Sequence, residues 1–289
     1  MKKLSMALLF VIVLTGTALA QPTQDWEEVF CMADPQGDAF GPGDYSYPEH
    51  SSFPPELADM LDLVEFRVAN SESATRFEFT FVQPPDLVQP WGGAGYNFHR
   101  IDLYIAPGGD GRTETFRPGA QVEFAMPWQV NLRIRDWNGA YLIHWEDNPD
   151  DTSAGIWQEN EGFEVFVQDN TIVVEVDHQH LGPATSQWRY YVLVGLQDAY
   201  GPDQYRKVCE ERGPWAGGGG SETEFNPNVY DILADTVQAQ GQQLDWDAGR
   251  LAKLQPVPAG RTGLYRIITI AGIILVAAGV AVFIWAFRK

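Results

Sequence analysis

Residues 75–82 read Thr-Arg-Phe-Glu-Phe-Thr-Phe-Val. Phe77, Phe79 and Phe81 alternate with Arg76, Glu78 and Thr80. A period of two suits a strand with one buried face and excludes a helix, whose apolar positions recur every three or four residues. The pattern returns at 101–105 (Ile-Asp-Leu-Tyr-Ile) and over 131–145, where Asn138-Gly139 separates two alternating runs and predicts a hairpin. A second hairpin is expected over 164–177, turning at Asp169-Asn170. Residues 190–198 are almost continuously apolar, as a central strand covered on both faces would be. Helical spacing is confined to short pieces at 54–60 and 229–240. Short strands separated by Gly- and Pro-rich turns predict an all-β fold, an antiparallel β-sandwich.

The two ends read differently from the middle. Lys2 and Lys3, an apolar run to Leu14 and the small-x-small triplet Ala18-Leu19-Ala20 predict a secretory signal peptide over residues 1–20. Residues 267–287 contain no charged side chain, and as a helix they would be roughly 31 Å long, the thickness of a bilayer's hydrocarbon core. Trp285 and Phe287 stand at the aromatic-belt position, and Arg288 and Lys289 form a two-residue tail. The expected layout is a module over 21–258, a linker over 259–266 and a transmembrane helix over 267–287, in a single-pass type I membrane protein with its module extracytoplasmic. Within the module, Gly217 to Gly220 reads as a flexible break, with 221–258 a strap that packs back on the sandwich.

Charge narrows the partners. All 39 Asp and Glu lie between the two apolar ends, against 15 of the 19 Lys and Arg. Such an acidic module lacks the basic footprint needed to displace counterions from nucleic acid, or to dock on anionic lipid. Aromatics at 13% of the chain distinguish it from a disordered acidic segment.

Residues 34–48 read Asp-Pro-Gln-Gly-Asp-Ala-Phe-Gly-Pro-Gly-Asp-Tyr-Ser-Tyr-Pro. They are followed by Pro90-Trp91, the 101–105 run, the long 190–208 segment, Trp215 with its glycine run, and Asn-Pro-Asn-Val-Tyr-Asp-Ile-Leu at 226–233. This set resembles the C-terminal binding module of glucodextranase, found also in amylopullulanase-like glucanases and similar to a surface-layer-homology region. The resemblance implies a β-sandwich related to DOMON-like and carbohydrate-binding modules, which travels with glycoside hydrolases without hydrolysing glycans. It implies an α-glucan or cell-envelope polysaccharide as partner. In place of the family's catalytic domain, this chain is expected to carry a membrane anchor.

Several constellations could carry chemistry. Asp34, Asp38 and Asp44 interleave with Gly37, Gly41 and Gly43, a set of hard oxygens on a pliable loop that suits calcium (Ca2+). The same residue types also build Asx turns, and both readings stay open. Trp137 beside Asn138-Gly139, Trp91 in a Pro/Gly loop, and Trp145 and Trp157 bracketing an acidic loop are the candidate sugar-stacking faces. Glu146, Asp147, Asp150 and Asp151 read as a solvated loop, and no pair of carboxylates marks a glycosidase, so no enzyme is expected. His178 and His180 form an H-x-H without further zinc ligands nearby in the chain. Cys31 and Cys209, the only cysteines of an exported module, are expected to form a disulfide. The leading expectation is a membrane-anchored, non-catalytic carbohydrate-binding module. The alternatives are a structural envelope protein that binds an S-layer or cell-wall partner, and a component of a glucan-degrading or sugar-uptake system.

Overall fold

The alternating runs become strands of three stacked sheets. The computed structural model describes residues 25–90, 92–137, 139–146, 155–158 and 162–258. The expected signal, linker and membrane segment lie outside the described residues, as do Trp91, Asn138, Asp147, Asp150 and Asp151. Among the described residues no helix is long and apolar enough to cross a membrane. The first sheet is antiparallel and has the order β1 (Glu27–Ala33), β2 (Leu63–Asn70), β3 (Ala74–Phe81), β11 (Thr171–Asp177), β10 (Phe163–Gln168). The second, also antiparallel, has the order β13 (Asp231–Ile232), β12 (Arg189–Leu196), β4 (His99–Ala106), β7 (Val130–Arg135), β8 (Tyr141–His144), β9 (Ile156–Trp157), with β15 (Val257–Pro258) pairing to β12 as well. The third is β14 (Ala252–Leu254), β6 (Val122–Trp128), β5 (Arg112–Glu114), in which β14 runs parallel to β6. Among the described residues three short α-helices complete the fold: α1 (Leu57–Leu61), α2 (His178–Leu181) and α3 (Val237–Gln243).

Period-two patterning explains the packing of the first sheet. Phe66 and Val68 of β2 and Phe77, Phe79 and Phe81 of β3 are fully buried, while Arg67, Arg76 and Glu78 share the outer face in ion pairs. Phe30 and Phe66 meet Tyr190 of β12, with ring centroids 5.1 and 5.4 Å apart, so the first sheet packs on the second. Each such side chain contributes about 1.5–3 kcal/mol by leaving water. The other face of the second sheet is covered too: Tyr104 and Tyr191 lie 4.5 and 4.6 Å from Phe124 of β6. The second sheet is therefore a middle layer.

That covering corrects the reading of 101–105 as a half-buried strand, since β4 is buried along its whole length. Its polar residues are buried with it and pair with one another. Arg100 Nη1 donates to Asp102 Oδ1 at 2.8 Å, Tyr205 Oη donates to Asp102 Oδ2 at 2.7 Å, and Arg133 bonds Asp203. Burial alone would raise the Asp102 carboxyl; Arg100 and Arg133 overcome that and hold it below the ordinary range.

Both hairpins form, with different turns. Gln168 pairs with Thr171, so Asp169-Asn170 is a two-residue turn, with Asp169 at φ 55°. In the other hairpin the last pair is Arg133 with Tyr141, which leaves a loop wider than a two-residue Asn-Gly turn. β7 instead follows β4 to the Arg135–Arg100 pair, and Asp136 is used elsewhere. The helical expectation at 229–240 is also shifted: 231–232 is strand, and the helix spans Val237–Gln243 after a Thr236 cap.

The expected disulfide is absent, because both cysteines are free thiols. Cys31 stands opposite Arg67 on the charged outer face of the first sheet, with Glu65 and Glu28 nearby, and burial and Glu65 push its thiol up to about 11. Cys209 lies in the loop after β12, beside Glu222 and Lys207. His178 and His180 lie on α2 rather than on a strand and join no metal-ligand cluster among the described residues.

Candidate functional site

The C-terminal ends of β7 and β12 and the glycine-rich loop after them enclose a cleft of about 600 Å³, within the range of small-ligand sites. Seven large apolar side chains are exposed among the described residues, and three of them, Trp137, Tyr200 and Trp215, line this cleft. Gln197, Asp198 and Arg206 supply its polar part.

Each wall has a local cause. Trp137 sits at the wide tip of the β7–β8 hairpin. Its backbone N–H donates to Gln197 Oε1 at 3.2 Å, and the preceding Asp136 accepts from the amides of Gly92 and Ala94, the latter at 2.8 Å. The 92–94 loop, next to Trp91 in sequence, is thereby fastened beside Trp137. Asp198 closes an Asx turn on the Tyr200 amide at 3.0 Å and pairs with Arg206 at 3.1 Å. Arg206 is the hub: Nη1 donates to the Trp215 carbonyl at 2.7 Å, Nη2 donates to the Gln197 carbonyl at 3.2 Å, and its guanidinium lies 5.1 Å from the Phe53 ring centroid. Trp215 stacks on His50, centroids 4.0 Å apart, and meets Phe53 edge-on.

The glycine run that looked like a flexible break is what holds Trp215. Gly217 donates to the Lys207 carbonyl and accepts from the Cys209 amide, and Gly218 exchanges two hydrogen bonds with Ser46, at 2.9 and 3.0 Å. A Cβ on Gly217 would stand 2.0 Å from Tyr230 Oη, so only glycine permits this approach. Tyr230 belongs to the 226–233 motif, whose side chains do structural work. Asn228 Oδ1 accepts from the Val208 amide and its Nδ2 reaches the Gly119 carbonyl, while Tyr230 stacks on Tyr47 at 4.5 Å.

Of the other tryptophans, Trp145 is half-buried against the core, and Trp157 has only its backbone described, in β9. In the sequence Trp215 stands out only as part of the motif set carrying the resemblance, and nothing there marks it, Tyr200 or Arg206 as a binding residue; the signal available is Trp215's place beside glycines too many for a simple turn.

A second constellation lies behind the same loops. Asp34 and Asp38 come together as the loop composition suggests, but their companion is Asp231, with one oxygen from each within 4.8 Å of the others. Asp44 is exposed and stands apart, its carbonyl packed near Gly219. Asp62 is buried nearby and raises the Asp38 carboxyl electrostatically. Desolvation first and Asp62 second push Asp38 up to about 7, and desolvation brings Asp62 to about 6. Asp34 and Asp231 are also raised well above the ordinary carboxylate range, by burial and then by the neighbouring carboxylates.

Two comparisons bear on these sites. No curated protein sequence matches the chain. Residues 29–256 match a family described as the C-terminal binding module, SLH-like, of glucodextranase. That span takes in most of β1, the 34–48 loop, the residues lining the cleft and the 226–233 motif, and the chain belongs to this family of binding modules.

Proposed function

We propose that this chain is a non-catalytic carbohydrate-binding module, taking an α-glucan or envelope polysaccharide into the cleft formed by Trp137, Tyr200 and Trp215. The observation that carries the reading is the gathering of three exposed aromatic rings around one cleft with an Arg206–Asp198 pair at its base. Sugar rings present apolar faces to aromatic rings and hydroxyl groups to charged hydrogen-bonding side chains, so both halves of the cleft have a use. Membership of a binding-module family supports a role in holding rather than cleaving the glycan. Residues 267–287 would tether the module at a membrane, on its extracytoplasmic side, and the acidic surplus gives no foothold for nucleic acid.

A structural role at the cell envelope is the second reading, favoured by the SLH-like character of the family. The full chain, solubilised in detergent, separates the two when incubated with insoluble starch, dextran and isolated cell wall. Retention on starch or dextran that competes with soluble oligosaccharide supports the first. Retention on cell wall alone, indifferent to soluble sugar, supports the second.

A further inference from the structure

Asp34, Asp38, Asp62 and Asp231 are each at most 7% exposed. Among the described residues no Lys, Arg or His forms an ion pair with any of them. Four carboxylates taken from water without a counter-charge are costly, because desolvation penalises each ion and the others repel it. An apolar substitute or a buried Arg would remove the penalty, as the Arg100–Asp102 pair does elsewhere in this fold.

The hydrogen bonds show how the cluster is held. Ala234 N–H donates to Asp34 Oδ1 at 2.7 Å, Leu63 N–H donates to Asp231 Oδ2 at 2.8 Å, and Gly37 N–H donates to Asp62 Oδ2 at 2.7 Å. In each case one oxygen is fixed by a backbone amide, while the other, Asp34 Oδ2, Asp231 Oδ1 or Asp62 Oδ1, is buried with no partner. Both Asp38 oxygens are also without a partner; its own amide favours the charged form but is not in hydrogen-bonding geometry. Carboxylates oriented through one oxygen with the other left over are arranged as monodentate ligands with a fixed outer shell. Two oxygens bound to one ion at about 2.4 Å stand at most ~4.8 Å apart. The Asp34, Asp38 and Asp231 oxygens all fall within that limit.

We propose that Asp34, Asp38 and Asp231, supported by Asp62, bind one Ca2+ ion that ties the 34–48 loop to the 226–233 segment. The donors are all hard oxygens with no His or Cys, which disfavours zinc. A buried set of carboxylates demands a dehydrated ion, and Mg2+ gives up its water reluctantly, whereas Ca2+ accepts an irregular oxygen shell. The two most distinctive motifs of the chain, nearly 200 residues apart, meet at this point. This site is independent of whether the cleft takes sugar.

The test uses the full chain in detergent. Elemental analysis after gel filtration in trace Ca2+ should find one Ca2+ per chain. EGTA should lower the melting temperature by roughly 5–10 °C, the shift expected when a ligand at a hundredfold excess over its Kd is withdrawn from a domain of this size. Ca2+ should restore it and Mg2+ at equal concentration should not. The double variant Asp38→Asn/Asp231→Asn should bind no Ca2+, yet in EGTA it should melt at or above the wild-type temperature, because two buried charges are gone. Absence of bound Ca2+ with a melting temperature unmoved by EGTA would overturn the proposal. So would equal rescue by Mg2+, or a double variant that still responds to Ca2+.

Discussion

Arg206→Met removes a guanidinium that is almost fully buried while keeping most of the side chain's volume. Lost are the hydrogen bonds to the Trp215 and Gln197 carbonyls, at 2.7 and 3.2 Å, and the pair with Asp198 at 3.1 Å. Charged hydrogen bonds contribute about 1.5–3 kcal/mol each, and the Asp198 pair contributes less because that carboxylate is partly solvated. Relief of the buried Arg206 charge offsets part of this, so the expected loss is roughly 2–4 kcal/mol. Urea unfolding followed by tryptophan fluorescence reads the loss directly, and the native-state emission should shift as Trp215 loses its anchor. Arg206→Lys should recover the Asp198 pair but not the two-pronged grip on the carbonyls, and fall between the two. Glucan retention should fall in the same order. An Arg206→Met protein within ~0.5 kcal/mol of wild type, with unchanged emission and retention, would refute the claim that Arg206 positions Trp215.

Other perturbations test other layers. Asp102→Ala leaves the buried Arg100 and Arg133 with Asp203 alone, and should cost about 3–5 kcal/mol in a urea melt. Burial holds His99 down at about 4, against the pull of the Met60 and Asn97 carbonyls on its ring nitrogens. The unfolded chain therefore takes up this proton first. His99's contribution is complete above about pH 6.5 and is lost as pH falls toward 4, by up to roughly 3 kcal/mol, so wild type should lose more stability than His99→Gln between pH 7 and 4.5.

The sequence exposed those parts of the molecule that depend on local periodicity. Phe77, Phe79 and Phe81 alternate because one face of β3 meets the middle sheet, and that constraint is written in neighbouring residues. The same logic misled at β4, where Asp102 looks like an outward residue until a third sheet and Arg133 cover it. Asp34 and Asp38 were legible as ligand types on a glycine loop, whereas Asp231 was not. It stands in an apolar run about 200 residues away, and only the pairing of β13 with β12 brings it to the loop. Trp137 was legible at a hairpin tip, though the wide tip that exposes it reflects Asp136 reaching the 92–94 loop rather than an Asn-Gly turn. Trp215 was hidden because a glycine run reads as slack, and here the glycines serve close packing against Tyr230 and Ser46. Compartment-based cysteine pairing failed because strand register sets Cys31 on the outer face among Arg67 and Glu65, away from the loop that carries Cys209.

The central claim is that the cleft, through its two indoles, holds a polysaccharide. The most direct measurement is retention of the full chain on insoluble α-glucan, comparing wild type with Trp137→Ala, Trp215→Ala and the double variant at matched melting temperatures. Both residues are about half exposed, so neither substitution opens the core. Wild type should bind, each single variant should bind roughly tenfold or more weakly, as for a contact contributing more than ~1.4 kcal/mol, and the double variant should not be retained. A folded double variant retained as well as wild type, or a wild-type chain that ignores starch, dextran and cell wall alike, would contradict the claim.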